Sequence, residues 1–244
     1  MFTVYIYYKY RKGLGQGVPM GNKTLLERKL RFFWKKMCWL LRVRGSEGLK
    51  RFLDCVISLA LLILLAPLFL TVALLIKLSD GGPVLYWQTR VGRWGKDLRF
   101  PKFRTMVVNA DGLKSSLEAL NHHGNDITFK IRKDPRITPL GRILRKTSID
   151  ELPQLWLVFS GEMSLVGPRP PILEEVKRYG LVHRLRLDIL PGLTCIWQVS
   201  GRGDLSFQRQ MDLDLEYIEM RGFWLDLKIL MMTIPAVLTG KGAY

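Results

Sequence analysis

The sequence predicts a helix-rich α+β fold organised around one long apolar segment. Residues 55–76 contain no charged side chain, which is typical of a helix with an apolar surface. Residues 79–106 combine a glycine-proline turn with short runs of strand-forming residues. Most of the remaining chain alternates helical stretches with proline and glycine. Helices therefore predominate, and the strands are few and short.

The composition indicates a protein that binds anions and lies at a membrane surface. The chain has 244 residues, 38 Lys and Arg against 21 Asp and Glu, and a formal net charge of +17. Such a surface attracts nucleic acid, anionic lipid or phosphorylated metabolites. Because 48% of the residues are also hydrophobic, a membrane surface is favoured among these partners.

Cysteine usage argues against two classes of small scaffold. Cys38, Cys55 and Cys195 are odd in number, widely separated and without metal-ligand spacing. A disulfide framework and a zinc site are therefore not expected, and a reducing cytosolic setting fits best. We expect no secretory signal, because the first twenty residues are basic and rich in tyrosine.

Taken in chain order, the first predicted element is an amphipathic helix over residues 24–44. Its apolar side chains recur at helical spacing, with basic residues between them: Leu26, Leu30, Phe33, Met37 and Leu41. This pattern predicts a helix in the membrane interface, and a partner-binding helix has the same pattern. Residues 1–12 form either a short strand or a basic arm.

The apolar segment at 55–76 is long enough to cross a bilayer, since 22 residues of helix extend about 33 Å. Pro67 lies near its middle and removes the hydrogen bond to the carbonyl of Ile63, so a bend is expected there. Basic residues flank both ends, whereas a spanning helix favours them on one side. Two arms of about 16 Å that return to the same side are the alternative to a spanning helix.

After this segment we predict a turn at residues 81–83 and short strands interrupted at Gly92 and Gly95. Near the C-terminus, an apolar run contains Lys228 and Pro235. It is either a helix in the membrane interface or a buried core helix. Three tryptophans fit an interfacial belt or core packing equally well: Trp87, Trp94 and Trp224.

Asp150 and Glu151 form an acidic pair in a basic stretch of the chain. In structural terms, Ser148 and Glu151 match a capping box, and Pro153 indicates that a helix begins at Ile149 or Asp150. Carboxylates at such a position lie at the positive end of a helix, where ionised groups are stabilised.

The surroundings of the pair also indicate a site for phosphoryl transfer. Arg142, Arg145 and Lys146 precede the pair, and Arg169 follows between two prolines in "GPRPP". Guanidinium groups bind phosphate oxygens, and an acidic pair can hold a hard divalent cation. Together these groups are suited to an anionic substrate.

Four stretches resemble the bacterial sugar transferase family: "KFRTM" (102–106), "LRKTSIDELPQLWLVFSGEMSLVGPRP" (144–170), "LPGLTCIWQVSGR" (190–202) and the ending "YIEMRGFWLDLKIL" with "GKGAY". These are the monotopic polyprenyl-phosphate phosphoglycosyl transferases that start glycoconjugate and exopolysaccharide assembly. The resemblance covers about residues 51–244. It leaves residues 1–50 outside the shared core.

The resemblance implies a monotopic protein of the bacterial cytoplasmic membrane, with a small catalytic domain on the cytoplasmic face. Its re-entrant helix would break at Pro67, so that both ends face the cytoplasm. The domains would be a basic extension with the amphipathic helix at 1–50, the re-entrant helix at 51–79 and the transferase domain at 80–244.

The resemblance also assigns roles to site residues. Asp150 would be the nucleophile. Glu151, the second catalytic residue, would be the ligand of a Mg²⁺ cofactor. Four basic residues would bind substrate phosphate or lie close to it: Lys102, Arg104, Arg145 and Arg169.

The implied reaction moves a phosphosugar from a UDP-sugar to polyprenyl phosphate and releases UMP, through a covalent aspartyl intermediate. The implied partners are these two substrates and membrane lipids, with no nucleic acid; a homo-oligomer is left open. Two alternatives use the same residues differently. A Mg²⁺-dependent pyrophosphate hydrolase would use water as the acceptor, whereas a polybasic membrane adaptor or nucleic-acid binder would not need Asp150.

Overall fold

A bent pair of helices begins the part of the chain that the structure, a computed structural model, describes: residues 47–110, 112–113, 134–240 and 242. Helix α1 (Glu47–Leu64) and helix α2 (Ala66–Asp80) meet at 57°, with one residue between them. Pro67 occupies the first turn of α2 and has no N–H to offer the preceding turn. The bend is therefore where the proline predicts it. The predicted helix at 24–44 and the rest of residues 1–46 lie outside the described residues.

Among the described residues, no single helix is both long enough and apolar enough to cross a membrane. Helices α1 and α2 together have the length and the apolar composition that crossing would require.

Polar side chains near the start of α1 tie this helix to the rest of the protein. The guanidinium of Arg51 donates hydrogen bonds to the carbonyls of Val158 (2.5 Å) and Phe159 (2.6 Å). Asp54 accepts a hydrogen bond from the backbone N–H of Leu165 at 3.1 Å. These bonds reach more than 100 residues along the chain, so α1 begins as part of the main body of the protein.

The predicted strands form one antiparallel hairpin. Strand β1 (Leu85–Val91) pairs along its whole length with strand β2 (Asp97–Phe103). The turn between them contains Gly92 and Gly95, the two positions predicted to interrupt the strands, and Gly95 has a φ of 75°. Strand β2 buries Phe100 in the core. Lys102, two residues further on, lies on the same face of the strand, with its Nζ 5.7 Å from the centre of the Phe100 ring.

Helix α3 (Pro139–Lys146) crosses the chain just after β2. Thr138 caps it by accepting a hydrogen bond from the N–H of Gly141 at 2.9 Å. A Cβ at Gly141 would lie 2.0 Å from the carbonyl oxygen of Thr105. Only glycine therefore allows α3 to pack this closely against the segment that follows β2.

The acidic pair lies on a 3₁₀ helix (Ile149–Gln154) that leads into helix α4 (Leu155–Ser160). Its start at Ile149 agrees with the prediction from Pro153. The capping box does not form, because Ser148 has a left-handed backbone with a φ of 56° and makes no side-chain cap. The carboxylate of Glu151 instead forms ion pairs with Lys102 and Arg169, which lie on other parts of the chain.

A second pair of strands, which is parallel, follows the acidic pair in the sequence. Strand β3 (Ser164–Val166) pairs with strand β4 (Gly192–Thr194). The two backbones come so close just beyond β3 that a Cβ at Gly192 would lie 2.1 Å from the backbone N of Gly167. This contact fixes the path of the chain as it enters "GPRPP".

The remaining elements are helix α5 (Leu173–Lys177), a 3₁₀ helix (His183–Asp188), helix α6 (Ile196–Val199), a 3₁₀ helix (Arg202–Asp204), helix α7 (Phe207–Met220) and helix α8 (Phe223–Thr239). Helix α8 continues through Pro235. Its Ile229 is buried, while Leu238 is 81% exposed. The C-terminal apolar run is therefore a helix with one face on the core and another face exposed.

The main core gathers side chains from nearly every element around Phe100 of β2: Leu98, Leu155, Leu157, Val158, Met163, Leu165, Val166, Ile189, Tyr217 and Ile229. Apolar side chains on the bent pair lie largely outside this core, among them Ile63, Leu64, Leu70, Leu74 and Leu78. The three tryptophans are also exposed, since Trp87, Trp94 and Trp224 keep 48%, 65% and 78% of their surface accessible. Core packing is thus excluded for these tryptophans.

Candidate active site

The structure brings the predicted site residues together in one cleft of about 610 Å³. Six residues that lie up to 67 positions apart in sequence line it: Lys102, Arg104, Arg145, Asp150, Glu151 and Arg169. Lys102 lies on strand β2 and Arg104 directly follows this strand. Helix α3 supplies Arg145, the following 3₁₀ helix supplies the acidic pair, and the segment after β3 supplies Arg169. Pro67, the other predicted residue, lies at the bend between α1 and α2.

Glu151 is held by two cations. Lys102 Nζ lies 2.7 Å from Glu151 Oε1. Arg169 approaches as a fork, with Nη2 2.6 Å from Oε1 and Nη1 3.2 Å from Oε2. Paired N–H donors of this kind fix both the position and the orientation of a carboxylate. The side chains of all three residues remain about one-fifth exposed to the cleft.

Asp150 has a different environment although it is the next residue. It is 7% exposed, and its carboxylate accepts no side-chain hydrogen bond from the described residues. It lines the cleft, and the charges of Lys102 and Arg145 act on its carboxyl group. The carboxylate is therefore shielded from bulk water, and no side chain of the described residues occupies it as a hydrogen-bond donor.

Because their environments differ, the pKa values of the two carboxyl groups shift in opposite directions. Burial raises the pKa of Asp150 to about 6, although the charge of Lys102 opposes the rise. Burial acts on Glu151 too, but the charges of Arg169 and Lys102 outweigh it and hold the pKa of Glu151 well below its usual range. Asp150 is thus the more basic carboxylate of the pair, and it is ionised at neutral pH.

Arg145 is positioned by the close packing of α3. Its Nε donates to Thr105 Oγ1 at 2.9 Å, one turn of helix after Gly141 contacts the same threonine. Burial lowers the pKa of Arg145, but an arginine remains charged at neutral pH. The guanidinium therefore contributes positive charge to the cleft.

Arg104 lines the cleft but already has partners. Its guanidinium forms an ion pair with Asp80 at the end of α2, with Nη2 2.5 Å from Oδ1 and Nη1 2.6 Å from Oδ2. Its Nε donates to the carbonyl of Pro83 at 2.5 Å. These contacts tie α2 to β2, and binding of phosphate by Arg104 stays a prediction that they do not favour.

Two further cations of the cleft were not predicted from the sequence. These two cations are Arg90 and Arg202. In the described part of the chain, no carboxylate lies within 4 Å of either of them, or of the predicted Arg145. Arg90 stacks over Phe100 at 4.8 Å and donates to the carbonyl of Pro170 at 2.7 Å. Arg202 lies between two glycines, which is the sequence signal that could have drawn attention to it.

A buried ion pair supports the backbone of Arg169 from behind. Arg186 Nη2 donates to the carbonyl of Arg169 at 2.9 Å and lies 2.5 Å from Asp214 Oδ2. Arg186 Nη1 also donates to Tyr179 Oη at 2.5 Å. Both charged residues are almost fully buried. Removing either one would leave the other charge unpaired, so the arrangement holds the "GPRPP" segment in place.

The carboxylates fit a magnesium ion that is shared with a substrate. No cluster of three His, Cys, Asp or Glu side chains able to bind a metal occurs within the described ranges. Mg²⁺ is commonly held by one or two carboxylates together with substrate phosphates and water. Asp150 and Glu151 meet that requirement, whereas a site made by the protein alone would need more oxygen ligands.

An ionised carboxylate pair, surrounded by arginines that have no carboxylate partner among the described residues, is suited to phosphate-bearing substrates. The sequence comparisons agree with this class. The chain belongs to the bacterial sugar transferase family, whose sequence profile matches residues 45–240.

Three relatives illustrate the similarity. The chain is 45% identical over 166 residues to galactosyl transferase CpsE of Streptococcus agalactiae, which covers 68% of this chain and 37% of that protein. It is 40% identical over 239 residues to undecaprenyl-phosphate galactose phosphotransferase of Salmonella typhimurium, covering 94% and 49%. It is 41% identical over 203 residues to UDP-glucose:undecaprenyl-phosphate glucose-1-phosphate transferase of Caulobacter vibrioides, covering 80% and 72%. The chain thus spans less than half of the first two proteins.

Proposed function

We propose that this protein transfers a phosphosugar from a UDP-sugar to a polyprenyl phosphate, such as undecaprenyl phosphate, and releases UMP. The observation that carries the proposal is Asp150, a buried carboxylate that accepts no side-chain hydrogen bond from the described residues and lies in a cleft lined by cations. The names of the relatives, which include undecaprenyl-phosphate sugar-phosphate transferases, support these classes of substrate. The product would be the first lipid-linked sugar of a glycan.

In the first step, an oxygen of Asp150 attacks the phosphorus that bears the sugar. The bond from this phosphorus to the oxygen of the UMP phosphate breaks, and UMP leaves with the bonding electrons. The protein then carries the phosphosugar as an acyl phosphate. No base has to activate the nucleophile, because a carboxyl group with a pKa of about 6 is already ionised at neutral pH.

In the second step, a phosphate oxygen of the polyprenyl phosphate attacks the same phosphorus. The acyl phosphate bond breaks, and Asp150 is restored as a carboxylate. The product is a polyprenyl diphosphosugar, and neither step requires a net proton transfer. Asp150 leaves as a carboxylate, and the charges of Lys102 and Arg145 offset part of the cost that burial places on this charged form.

The basic residues make an encounter between a carboxylate and an anionic diphosphate possible. Arg145 and Arg202, which have no carboxylate partner in the described structure, would bind phosphate oxygens. Lys102 and Arg169 would keep Glu151 ionised and oriented. Asp150 and Glu151 would hold Mg²⁺ together with the donor diphosphate, and the ion would neutralise phosphate charge.

We also propose that α1 and α2 form a re-entrant membrane hairpin that bends at Pro67. The side chains near the bend are apolar and exposed. Both outer ends are tied to the same body, α1 through Arg51 and α2 through the Asp80–Arg104 ion pair. Two ends attached to one body lie on one side of a bilayer. That side would be the cytoplasmic face of a bacterial membrane, with the exposed face of α8 in the interface.

The experiment is a measurement of UMP release by the full chain in nanodiscs, with Mg²⁺, undecaprenyl phosphate and a panel of UDP-sugars. Wild type is compared with Asp150→Asn and with Asp97→Asn, which removes a carboxylate exposed outside the cleft. We expect release that depends on the lipid and is lost only in Asp150→Asn. With radiolabelled sugar and no lipid, wild type should retain label on the protein.

Two results would contradict the proposal. Activity that survives Asp150→Asn would remove Asp150 as the nucleophile. Release of free phosphosugar at the same rate without lipid would instead support the hydrolase alternative.

A further inference from the structure

Two residues with strained backbones meet at the edge of the cleft. Among the described residues, three that are not glycine have a positive φ: Trp94 (60°), Ser148 (56°) and Arg202 (51°). Trp94 lies in the turn of the hairpin. Ser148 and Arg202 both line the cleft and are joined by a hydrogen bond of 3.4 Å from Arg202 Nη1 to Ser148 Oγ. Such conformations are maintained only where the surroundings impose them, and they concentrate at functional sites.

The neighbours of Arg202 impose its conformation. Gly201 has a φ of 146°, which only glycine adopts readily. The N–H of Gly203 donates to the carbonyl of Gly242 at 3.2 Å. Gly242 packs so tightly that a Cβ there would lie 2.6 Å from the carbonyl oxygen of Gly201. Gly242, which follows α8 in the sequence, thus packs against the turn around Arg202 and holds its backbone in place.

The guanidinium that this turn presents is oriented but not neutralised. Its Nε donates to the carbonyl of Gln198 at 3.2 Å and its Nη1 to Ser148. Neither acceptor carries a charge, and no described carboxylate lies within 4 Å. By contrast, Arg169 and Arg104 are each paired with a carboxylate in the same cleft. Among the described residues, Arg202 is therefore a cation in position to bind an anion that these residues do not supply.

We infer that Arg202 binds a phosphate group of a substrate and that Ser148 is a positioning residue that orients its guanidinium. The inference rests on the proposed function for the identity of that substrate. The phosphate belongs either to the diphosphate of the UDP-sugar or to the polyprenyl phosphate. Ser148 directly precedes the 3₁₀ helix that carries Asp150, so one hydrogen bond links the position of the cation to that of the nucleophile.

The test compares Arg202→Gln, Arg202→Lys, Ser148→Ala and the double variant Arg202→Gln/Ser148→Ala in nanodiscs. Arg99→Gln is the matched control, because Arg99 stacks on Trp87 at 5.3 Å and does not line the cleft. The readouts are the KM for the UDP-sugar, the KM for undecaprenyl phosphate, kcat, and the Kd of UDP measured calorimetrically without turnover. Thermal unfolding reports whether each variant is folded.

We expect Arg202→Gln to raise one of the two KM values about 10- to 100-fold, as for loss of a hydrogen bond to a charged group. Arg202→Lys should retain part of the affinity. Ser148→Ala should raise the same KM by less, and it should have no further effect in the Arg202→Gln background. A parallel rise in the Kd of UDP identifies the donor diphosphate, whereas an unchanged Kd identifies the lipid phosphate.

The inference is overturned if Arg202→Gln is folded and both KM values and the Kd of UDP stay within twofold of wild type. It is also overturned if Ser148→Ala and Arg202→Gln act independently in the double variant, since Ser148 then does not act through Arg202. If wild type releases no UMP, the proposed function fails by itself. In that case the binding of UDP and of inorganic phosphate decides whether Arg202 is an anion-binding residue.

Discussion

Replacing Asp150 by Asn should stabilise the folded protein at neutral pH, although it removes the proposed nucleophile. Burial raises the pKa of Asp150 from 3.8 to about 6. Since one pH unit corresponds to about 1.4 kcal/mol, the ionised carboxylate costs about 3 kcal/mol at pH 7.5. Asparagine has nearly the same shape and no charge. We therefore expect Asp150→Asn to gain up to about 3 kcal/mol of unfolding free energy.

The difference in stability between wild type and Asp150→Asn should depend on pH in a defined direction. Between pH 3.8 and about 6 the folded state keeps a proton on Asp150 that the unfolded state has released. The stability of wild type relative to Asp150→Asn therefore falls as the pH rises through this window. The gain in the variant should be complete above about pH 6 and absent below about pH 4.

Glu151 should show the opposite behaviour. Its pKa is held below the usual range by Arg169 and Lys102, so its ionised form adds stability at neutral pH that is lost as the pH falls through the lowered value. Glu151→Gln also leaves two partly buried cations without their partner. We expect Glu151→Gln to lower the free energy of unfolding by on the order of 2–3 kcal/mol at pH 7.5.

The assay is thermal unfolding in nanodiscs without Mg²⁺ at pH 4.5 and pH 7.5. A protein of this size shifts its Tm by roughly 2–4 °C per kcal/mol, so Asp150→Asn should unfold roughly 6–12 °C higher at pH 7.5. A lower Tm for Asp150→Asn, or the same gain at both pH values, would refute the reasoning. Mg²⁺ should reduce the gain, because the ion favours the ionised carboxylate.

Three further predictions concern activity and topology. The kcat/KM for UMP release should fall about tenfold per pH unit below about pH 6, as Asp150 becomes protonated; a rate that is constant down to pH 5 would contradict this role. Gly192→Ala should lower activity at least about tenfold and lower the free energy of unfolding by about 1–3 kcal/mol. The reason is that the new Cβ would collide with Gly167, just before the segment that carries Arg169. Gly48→Ala, where nothing lies within 4 Å of the new Cβ, is the control, and equal behaviour of the two variants would sink the argument. Pro67→Leu should straighten the bent helices, so that cysteines introduced before α1 and after α2 no longer label from the same side of a vesicle; unchanged labelling would show that Pro67 does not determine the bend.

Local sequence signals predicted the elements that position the candidate site. A proline within an apolar run predicted the bend, because the missing N–H acts on the adjacent turn. Gly92 and Gly95 predicted the turn of the hairpin, and Pro153 predicted where the 3₁₀ helix begins. Each of these effects operates within a few residues. This is why they could be recognised without knowledge of the fold.

The failures concern contacts between distant parts of the chain. The capping box of Ser148 and Glu151 has a local signature, yet Lys102 and Arg169 offer the carboxylate stronger, charged partners. Arg104 belongs to the same motif as Lys102, but its pairing with Asp80 depends on where α2 ends. A single sequence contains no local sign of such pairings.

The same holds for the glycines that set the geometry of the cleft. Gly141 and Gly192 appear ordinary in sequence, and their importance lies in backbones that approach from 36 and 25 residues away, at Thr105 and Gly167. Arg202 was overlooked for a similar reason, since its strained turn is sealed by Gly242. These requirements emerge only when the chain is folded.

In the proposed membrane hairpin, the ion pair between Asp80 and Arg104 would connect the bilayer mechanically to the candidate site. Arg104 lies two residues beyond Lys102 on the same stretch of chain, and Asp80 is the last residue of α2. A bilayer that is thicker or thinner than α1 and α2 require would displace α2 and pull on this stretch. The rate of sugar-phosphate transfer would therefore depend on the acyl-chain length of the surrounding lipids, even though those lipids take no part in the reaction.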